Sequence, residues 1–109
     1  MDEKKPFGSQ AIKTAGSVEY SEDSVVSKQL IKRGGGTISL FAFDKGQSLS
    51  EHTAPFDALI LVLDGRAEVT ISGTPHFLVE GEVILLPAGE PHALRAPEKF
   101  KMMLIMIRS

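Results

Sequence analysis

Three histidines, His52, His76 and His92, are the residues of this chain best suited to chemistry. Imidazole has an unperturbed pKa near neutrality and is a common metal ligand, so two such side chains in one place could move protons or hold a cation. The chain contains no cysteine, which excludes disulfides, thiolate metal sites and cysteine nucleophiles. A lone histidine on a strand is usually structural. The question is therefore whether the fold brings any of the three together.

Two of the histidines lie near regularly spaced glycines. His52 follows Gly46 by six residues, and His92 follows Gly81 by eleven. Glycine adopts positive φ at little cost and suits the tight reversals between strands, while proline is tolerated where a strand bends or ends. The glycines therefore indicate the fold, and the histidines carry any chemistry.

These offsets resemble those of the cupins, a family of small double-stranded β-helix, or jelly-roll, barrels. The first cupin motif is a glycine, five residues, His-x-His, three or four residues, a glutamate, six residues and a glycine. The second is a glycine, five residues, Pro-x-Gly, two residues, a histidine, three residues and an asparagine. The matching positions are Gly46, His52, Gly65, Gly81, Pro87, Gly89 and His92. The resemblance implies an all-β, antiparallel jelly-roll barrel.

In metal-binding cupins, the two histidines and the glutamate of the first motif converge with the histidine of the second on one metal. By position the first and last of these ligands are His52 and His92, whereas Ala54 and Ala58 occupy the other two positions. Zinc sites normally have three or four protein ligands, and octahedral sites need six donors. The resemblance thus implies a weak or degenerate two-histidine site. Its candidate metals are zinc, nickel, iron, manganese and copper.

Other polar residues near the motifs are not expected to belong to the site. Asp57 would point outward from its strand unless a bulge turned it inward. Gln47 and Glu51 are expected in solvent, and His76 is expected on the barrel surface. Five residues share one parity and would all point into the barrel if the strand were unbroken: His52, Ala54, Ala58, Ile60 and Val62.

Glycine and proline occur at intervals along the chain, which is typical of many short strands. The predicted strands span residues 25–33, 37–43, 58–63, 66–71, 76–79, 83–86, 92–96 and 100–107. Asp64-Gly65 is the clearest hairpin signal and predicts a tight turn between two of these strands. In the strand that follows, alternation places Ala67, Val69 and Ile71 toward a core. Residues 1–24 are expected to form an arm that packs on the barrel or on a dimer partner, and residues 25–109 a single barrel.

The final predicted strand, Phe100 to Ile107, is apolar on both faces beyond Lys101. In a small protein with one core, an apolar outer face usually indicates a partner. Methionine is also an ordinary core residue, so Met102, Met103 and Met106 could simply pack. The strand favours a homodimer with its interface here and along Val25 to Ile31.

Charge and hydropathy exclude several partners. The formal net charge of −2 leaves no positive excess to attract nucleic acid. The longest apolar runs, residues 58–63 and 102–107, are far shorter than the ~20 residues of a membrane-spanning helix. The first residues lack the apolar stretch of a secretory signal, so the expected location is the cytoplasm.

Three functions remain open. The favoured hypothesis is a stand-alone barrel that binds a small ligand through His52 and His92, with or without a weakly held divalent metal. The alternative is a metal-dependent enzyme, of the oxygenase or isomerase type, that uses the same two histidines. A further alternative is a regulatory or structural dimer with a vestigial pocket. No residue of the sequence specifies a substrate or a catalytic group.

Overall fold

The computed structural model describes residues 8–108, and nearly all regular structure in this part of the chain is β-strand. Eight strands follow a single turn of 3-10 helix at Ala15–Ser17. The strands are β1 (Val25–Arg33), β2 (Gly36–Phe43), β3 (Ser48–His52), β4 (Asp57–Ile71), β5 (Thr74–Val79), β6 (Val83–Leu86), β7 (His92–Arg95) and β8 (Phe100–Ile107). All pairings between them are antiparallel. The all-β, antiparallel prediction is confirmed.

Strand β4 organises the sheet. The order of the strands is β1-β2-β8-β4-β7-β3, with β5 and β6 also pairing with β4. Residues 57–65 of β4 pair with β6 and β8, whereas residues 66–71 pair with β5 and β7. Because one strand belongs to two groups of neighbours, the sheet curls and encloses a common core.

The hairpin predicted at Asp64-Gly65 is wrong. The strand Asp57–Ile71 continues through both residues, and its pairing with β8 shifts register between Val62 and Asp64. Gly65 has a φ of 75°, and a Cβ built there would overlap the backbone carbonyl oxygen of Lys99. Glycine is needed here for a bulge and for close approach of the neighbouring chain, and not for a reversal.

The inner face of the curled sheet forms the main core. The alternation predicted for residues 66–71 is confirmed, since Ala67 and Val69 are buried and Arg66 is exposed. Phe43 and Phe100 stack with their ring centroids 4.5 Å apart. Buried aliphatic residues from β4, β5, β6, β7 and β8 complete this cluster. The core therefore connects both groups of strands that meet at β4.

A second, smaller cluster lies on the outer face and includes residues before β1. Val18 is buried there with Leu40, and Tyr20 packs against the same cluster. The Tyr20 hydroxyl donates a hydrogen bond to Asp64 Oδ2 at 2.6 Å, and Lys101 Nζ donates one to the carbonyl of residue 15 at 2.5 Å. Part of the predicted arm thus lies on the barrel. Its residues 1–7 lie outside the described residues.

The two faces of β8 pack in different clusters. The strand lies between β2 and β4; its residues Phe100 and Met102 are buried in the main core, while Met103 packs in the outer cluster. Val83 and Leu85 of β6 remain 57% and 49% exposed. Among the described residues, no helix has the length and apolar character needed to span a membrane.

Candidate functional site

The fold brings two of the three histidines together. His52 ends β3 and His92 begins β7, and their Cα atoms are partners in the ladder that joins the two strands. The ring centroids are 4.4 Å apart, and the planes meet edge to face at 68°. His76 lies instead on β5, exposed and opposite Val69, as expected of a surface residue. The first and last candidate positions of the two motifs therefore form a contact pair.

Two loops flank the pair and are hydrogen-bonded to each other. The N–H of Gly89 donates to the carbonyl of Ala54 at 2.8 Å, and the N–H of Ala88 donates to Asp57 Oδ1 at 2.9 Å. These bonds join the segment that follows His52 to the segment that precedes His92. Their effect is to limit how far the two rings can move apart.

The condition under which His52 would share its orientation with Ala58 and Ile60 was an unbroken strand, and the chain is interrupted between them. Residues 53–56 are not in a strand, and β4 begins only at Asp57. Ala58 and Ile60 are nevertheless buried, as the alternation predicted, whereas His52 is exposed. Within the interruption, the carbonyl of Ala54 accepts the N–H of Gly89 from the 87–91 loop.

The hydrogen bonds of the two imidazoles indicate which nitrogen of each ring carries the proton. His52 Nδ1 lies 2.9 Å from the carbonyl oxygen of Ser50, and His92 Nδ1 lies 3.3 Å from that of Glu90. A carbonyl oxygen can only accept, so we assign the proton of each neutral ring to Nδ1. The lone pair of each ring is then on Nε2. This is the tautomer in which histidines bind metals through Nε2.

Burial changes the protonation behaviour of His92. His92 is only 6% exposed, and burial lowers its pKa below the ordinary value of 6.5. The hydrogen bond to the Glu90 carbonyl opposes this shift, and nearby His52 reinforces it. Near neutral pH, His92 is therefore an uncharged imidazole that can serve as an acceptor or a ligand.

Acid is expected to destabilise the fold through His92. Its pKa is lower in the folded than in the unfolded chain, so the unfolded chain takes up the proton first. The free energy of unfolding should fall as the pH drops below about 6.5 and level off once folded His92 is protonated. Urea unfolding across that window, with chelator present, should give a flatter pH profile for His92→Gln. His76→Gln is the control and should follow the wild type; equal flattening in both variants would contradict this account.

The donor set does not fit a firmly bound metal. No group of three or more histidine, cysteine, aspartate or glutamate side chains is placed to hold a metal anywhere in residues 8–108. At the two remaining family positions, Ala54 and Ala58 supply no donor atom. The pair His52 and His92 alone is short of the three or four protein ligands of a stable zinc site. Any metal here would depend on water or ligand atoms for most of its coordination.

The other candidate residues have different roles. Asp57 is exposed and its carboxylate accepts the Ala88 N–H, so it links the two loops. Gln47 accepts a backbone hydrogen bond from Ala96, and Glu51 is exposed on β3. The linking role of Asp57 was missed by the sequence analysis, because Asp57 and Ala88 are 31 residues apart and no local pattern connects them.

A curled antiparallel barrel with a histidine pair on two adjoining strands defines a recognisable class of protein. Residues 39–108 match the sequence model of the family described as "Cupin domain". The match covers most of the chain, including β3, β4 and β7. The chain belongs to the cupin family.

Two solved structures resemble this chain along nearly its whole length. A cupin superfamily protein from Desulfitobacterium hafniense is 32% identical with a TM-score of 0.89, and the alignment covers 97% of each chain. A conserved protein of unknown function from Streptococcus pyogenes is 36% identical with a TM-score of 0.88, covering 93% of this chain and 89% of that chain. This likeness confirms the jelly-roll barrel.

Among curated proteins, quercetin 2,3-dioxygenase from Bacillus subtilis is 47% identical over 36 residues, which are 33% of this chain. The chain spans only 11% and 17% of the length of the curated relatives it matches. The likeness to these relatives therefore concerns one barrel and does not extend to the whole enzymes.

Proposed function

We propose that this cupin barrel binds a small molecule at the pair formed by His52 and His92, and that a divalent metal at the pair is held weakly. The observation that carries the proposal is the contact of the two rings, 4.4 Å between centroids, with both Nδ1 atoms bonded to backbone carbonyls. Neither Nε2 has a hydrogen-bond partner within residues 8–108, so each can contact a ligand. A ligand site needs a few fixed polar groups among apolar neighbours, and the pair supplies two.

A metal-dependent enzyme of the oxygenase or isomerase type is the second candidate. The identity shared with a dioxygenase over 36 residues favours it. The alanines at positions 54 and 58 weigh against it, because loss of even an outer contact to a ligand costs ~10–100-fold in metal affinity and two direct ligands should cost at least that. Fold alone does not decide between the two, since one fold supports many functions.

Metal content and zinc titration test the proposal. Protein purified without tag or chelator, then dialysed against Mn, Fe, Ni, Cu or Zn, should retain much less than one metal per chain. Zinc added during NMR should nevertheless shift the ring signals of His52 and His92 in fast exchange. His52→Ala and His92→Ala should each remove that response, and His76→Ala should not.

Two outcomes would overturn the proposal. Near-stoichiometric metal that disappears in both His52→Ala and His92→Ala would place the enzyme hypothesis first. If neither zinc nor a library of small polar fragments shifts either ring, then the pair is a packing contact and not a ligand site.

We also propose a homodimer, with an interface on β8 and the neighbouring strands β4 and β6. The sequence led us to expect β1 in the interface as well, and the packing on that side favours it less. Residues before β1 already pack on the β1 and β2 side of this outer face. Leu85 is about half exposed and lies beside Leu59, which in turn lies beside Ile105. In antiparallel pairs, residues directly opposite each other share a face, so the three side chains form one aliphatic row.

Leu85→Glu is expected to convert a dimer into monomers, because it places a charge in this row. Analytical ultracentrifugation measures the result as a lower sedimentation coefficient. Phe77→Glu is the matched control, since Phe77 is 49% exposed on β5, which pairs with the other half of β4. A Leu85→Glu variant that sediments like the wild type would contradict the interface. Met103 is a poorer test, because it packs beside the arm.

A further inference from the structure

Both imidazoles of the proposed site present the same hydrogen-bonding character to a ligand. The Nδ1–H groups of His52 and His92 are engaged by the carbonyls of Ser50 and Glu90. What remains on each ring is the lone pair of Nε2, and a neutral imidazole has no other polar atom. With both rings neutral, the pair is a double acceptor.

The backbone of the 87–91 loop, which precedes His92, offers no free donors. Successive N–H groups in a turn often form a concave site for anions. Here the N–H of Ala88 donates to Asp57 Oδ1, that of Gly89 to the carbonyl of Ala54, and that of Glu90 to the carbonyl of Pro87. These three consecutive donors are all satisfied within the protein. A carboxylate or phosphate would find lone pairs at the histidines and no free N–H among these three.

The separation of the rings limits the size of the complementary group. The centroids are 4.4 Å apart, and a hydrogen bond spans about 2.8 Å between heavy atoms, so the two rings are close enough for one small group to contact both. Two hydroxyls on adjacent carbons supply two donors at such a spacing. A ligand with a single donor would leave one of the two acceptors unmatched, which reduces affinity, most of all where the unmatched acceptor is that of the buried His92.

We infer that the site of His52 and His92 takes an uncharged ligand carrying a vicinal diol, whose two hydroxyls donate to the two Nε2 atoms. This inference rests on the proposed function and adds the chemical class of the ligand. Such a site would select against anions, because a carboxylate of the same size would direct acceptor oxygens at the two acceptor nitrogens.

Three probes of similar size test the inference on the full-length, chelator-treated protein: catechol, 2-methoxyphenol and benzoate. They offer two hydroxyls, one hydroxyl and one carboxylate respectively. Long-range proton–nitrogen NMR of the side chains first reports the tautomer of each ring, and the same spectra then follow each titration. We expect Nδ1–H on both rings, shifts of both Nε2 signals with catechol, and affinity for 2-methoxyphenol about tenfold lower. Benzoate should give no response.

The variants His52→Gln and His92→Gln keep a polar side chain and should each reduce catechol affinity to the level of 2-methoxyphenol, with His76→Gln unchanged. A ring protonated at Nε2, no response to catechol, or a histidine-dependent response to benzoate would each overturn the inference. The response to zinc distinguishes a failure of this inference from a failure of the proposed function. If zinc still shifts both rings, the site exists and only its ligand class is wrong.

Discussion

Gly65→Ala is expected to cost about 3 kcal/mol or more of the free energy of unfolding. Two effects combine at this position. An alanine at a φ of 75° is in the left-handed region, and its Cβ would overlap the backbone of Lys99. A flexible side chain could rotate away from such an overlap. The carbonyl of Lys99 is joined directly to Phe100, which pairs with Gly65, so it cannot move without disturbing the pairing of β4 with β8. Urea unfolding monitored by circular dichroism gives the change directly.

Gly73→Ala separates the two effects. Gly73 has a φ of 84°, close to that of Gly65, yet a Cβ there would meet nothing within 4 Å. The control should therefore lose only the conformational contribution, roughly 1–2 kcal/mol. Equal losses in the two variants would show that backbone strain alone matters and that the close approach at Lys99 is unimportant.

The double substitution Ala54→His with Ala58→Glu is expected to create a divalent-metal site in the barrel. It places imidazole and carboxylate at the two family positions that lack donors, beside His52 and His92. We expect an increase in zinc affinity on the order of 100-fold, measured by competition with a chromophoric chelator. The gain should also appear in stability, because a ligand that binds only the folded chain raises the free energy of unfolding.

Ala58 is 5% exposed, so a glutamate there would be a buried charge when metal is absent. An unpaired buried carboxylate destabilises a fold by several kcal/mol. The double variant should therefore melt below the wild type in chelator and recover when zinc is added, while the wild type changes little. Ala54→His alone is the control and should show an intermediate zinc affinity without the loss in chelator. No gain in affinity would mean that positions 54 and 58 do not face the histidine pair.

Much of the fold was predictable because its signals are local. Alternation of polar and apolar residues and the punctuation by glycine appear within a few residues of each strand. Asp64-Gly65 is a case in which the local sequence is not sufficient to predict the structure. A hairpin turn and a bulge both need a glycine with positive φ, so the dipeptide fits either. The difference is set by Lys99 and Phe100, which lie alongside Gly65 and are far from it in sequence.

The candidate site was likewise predictable only in part. The resemblance of the glycine and histidine offsets to the two cupin motifs was sufficient to expect the rings of His52 and His92 in one place. The tautomers were not predictable, because they depend on how the carbonyls of Ser50 and Glu90 point. Asp57 was expected to point outward, and it does. Its bond to Ala88 could not be inferred, since nothing near Asp57 in the sequence specifies that partner.

The contacts that hold the arm also constrain the order of folding. Tyr20 bonds to Asp64, 44 residues away, and Lys101 bonds to the carbonyl of Ala15, 86 residues away. The first bond needs β4 and the second needs β8, and contacts between such distant segments form slowly because a long loop must close first. The described residues before β1 therefore dock on strands that come much later in the chain. Resistance of the arm to limited proteolysis during refolding would mark the moment at which the barrel is complete.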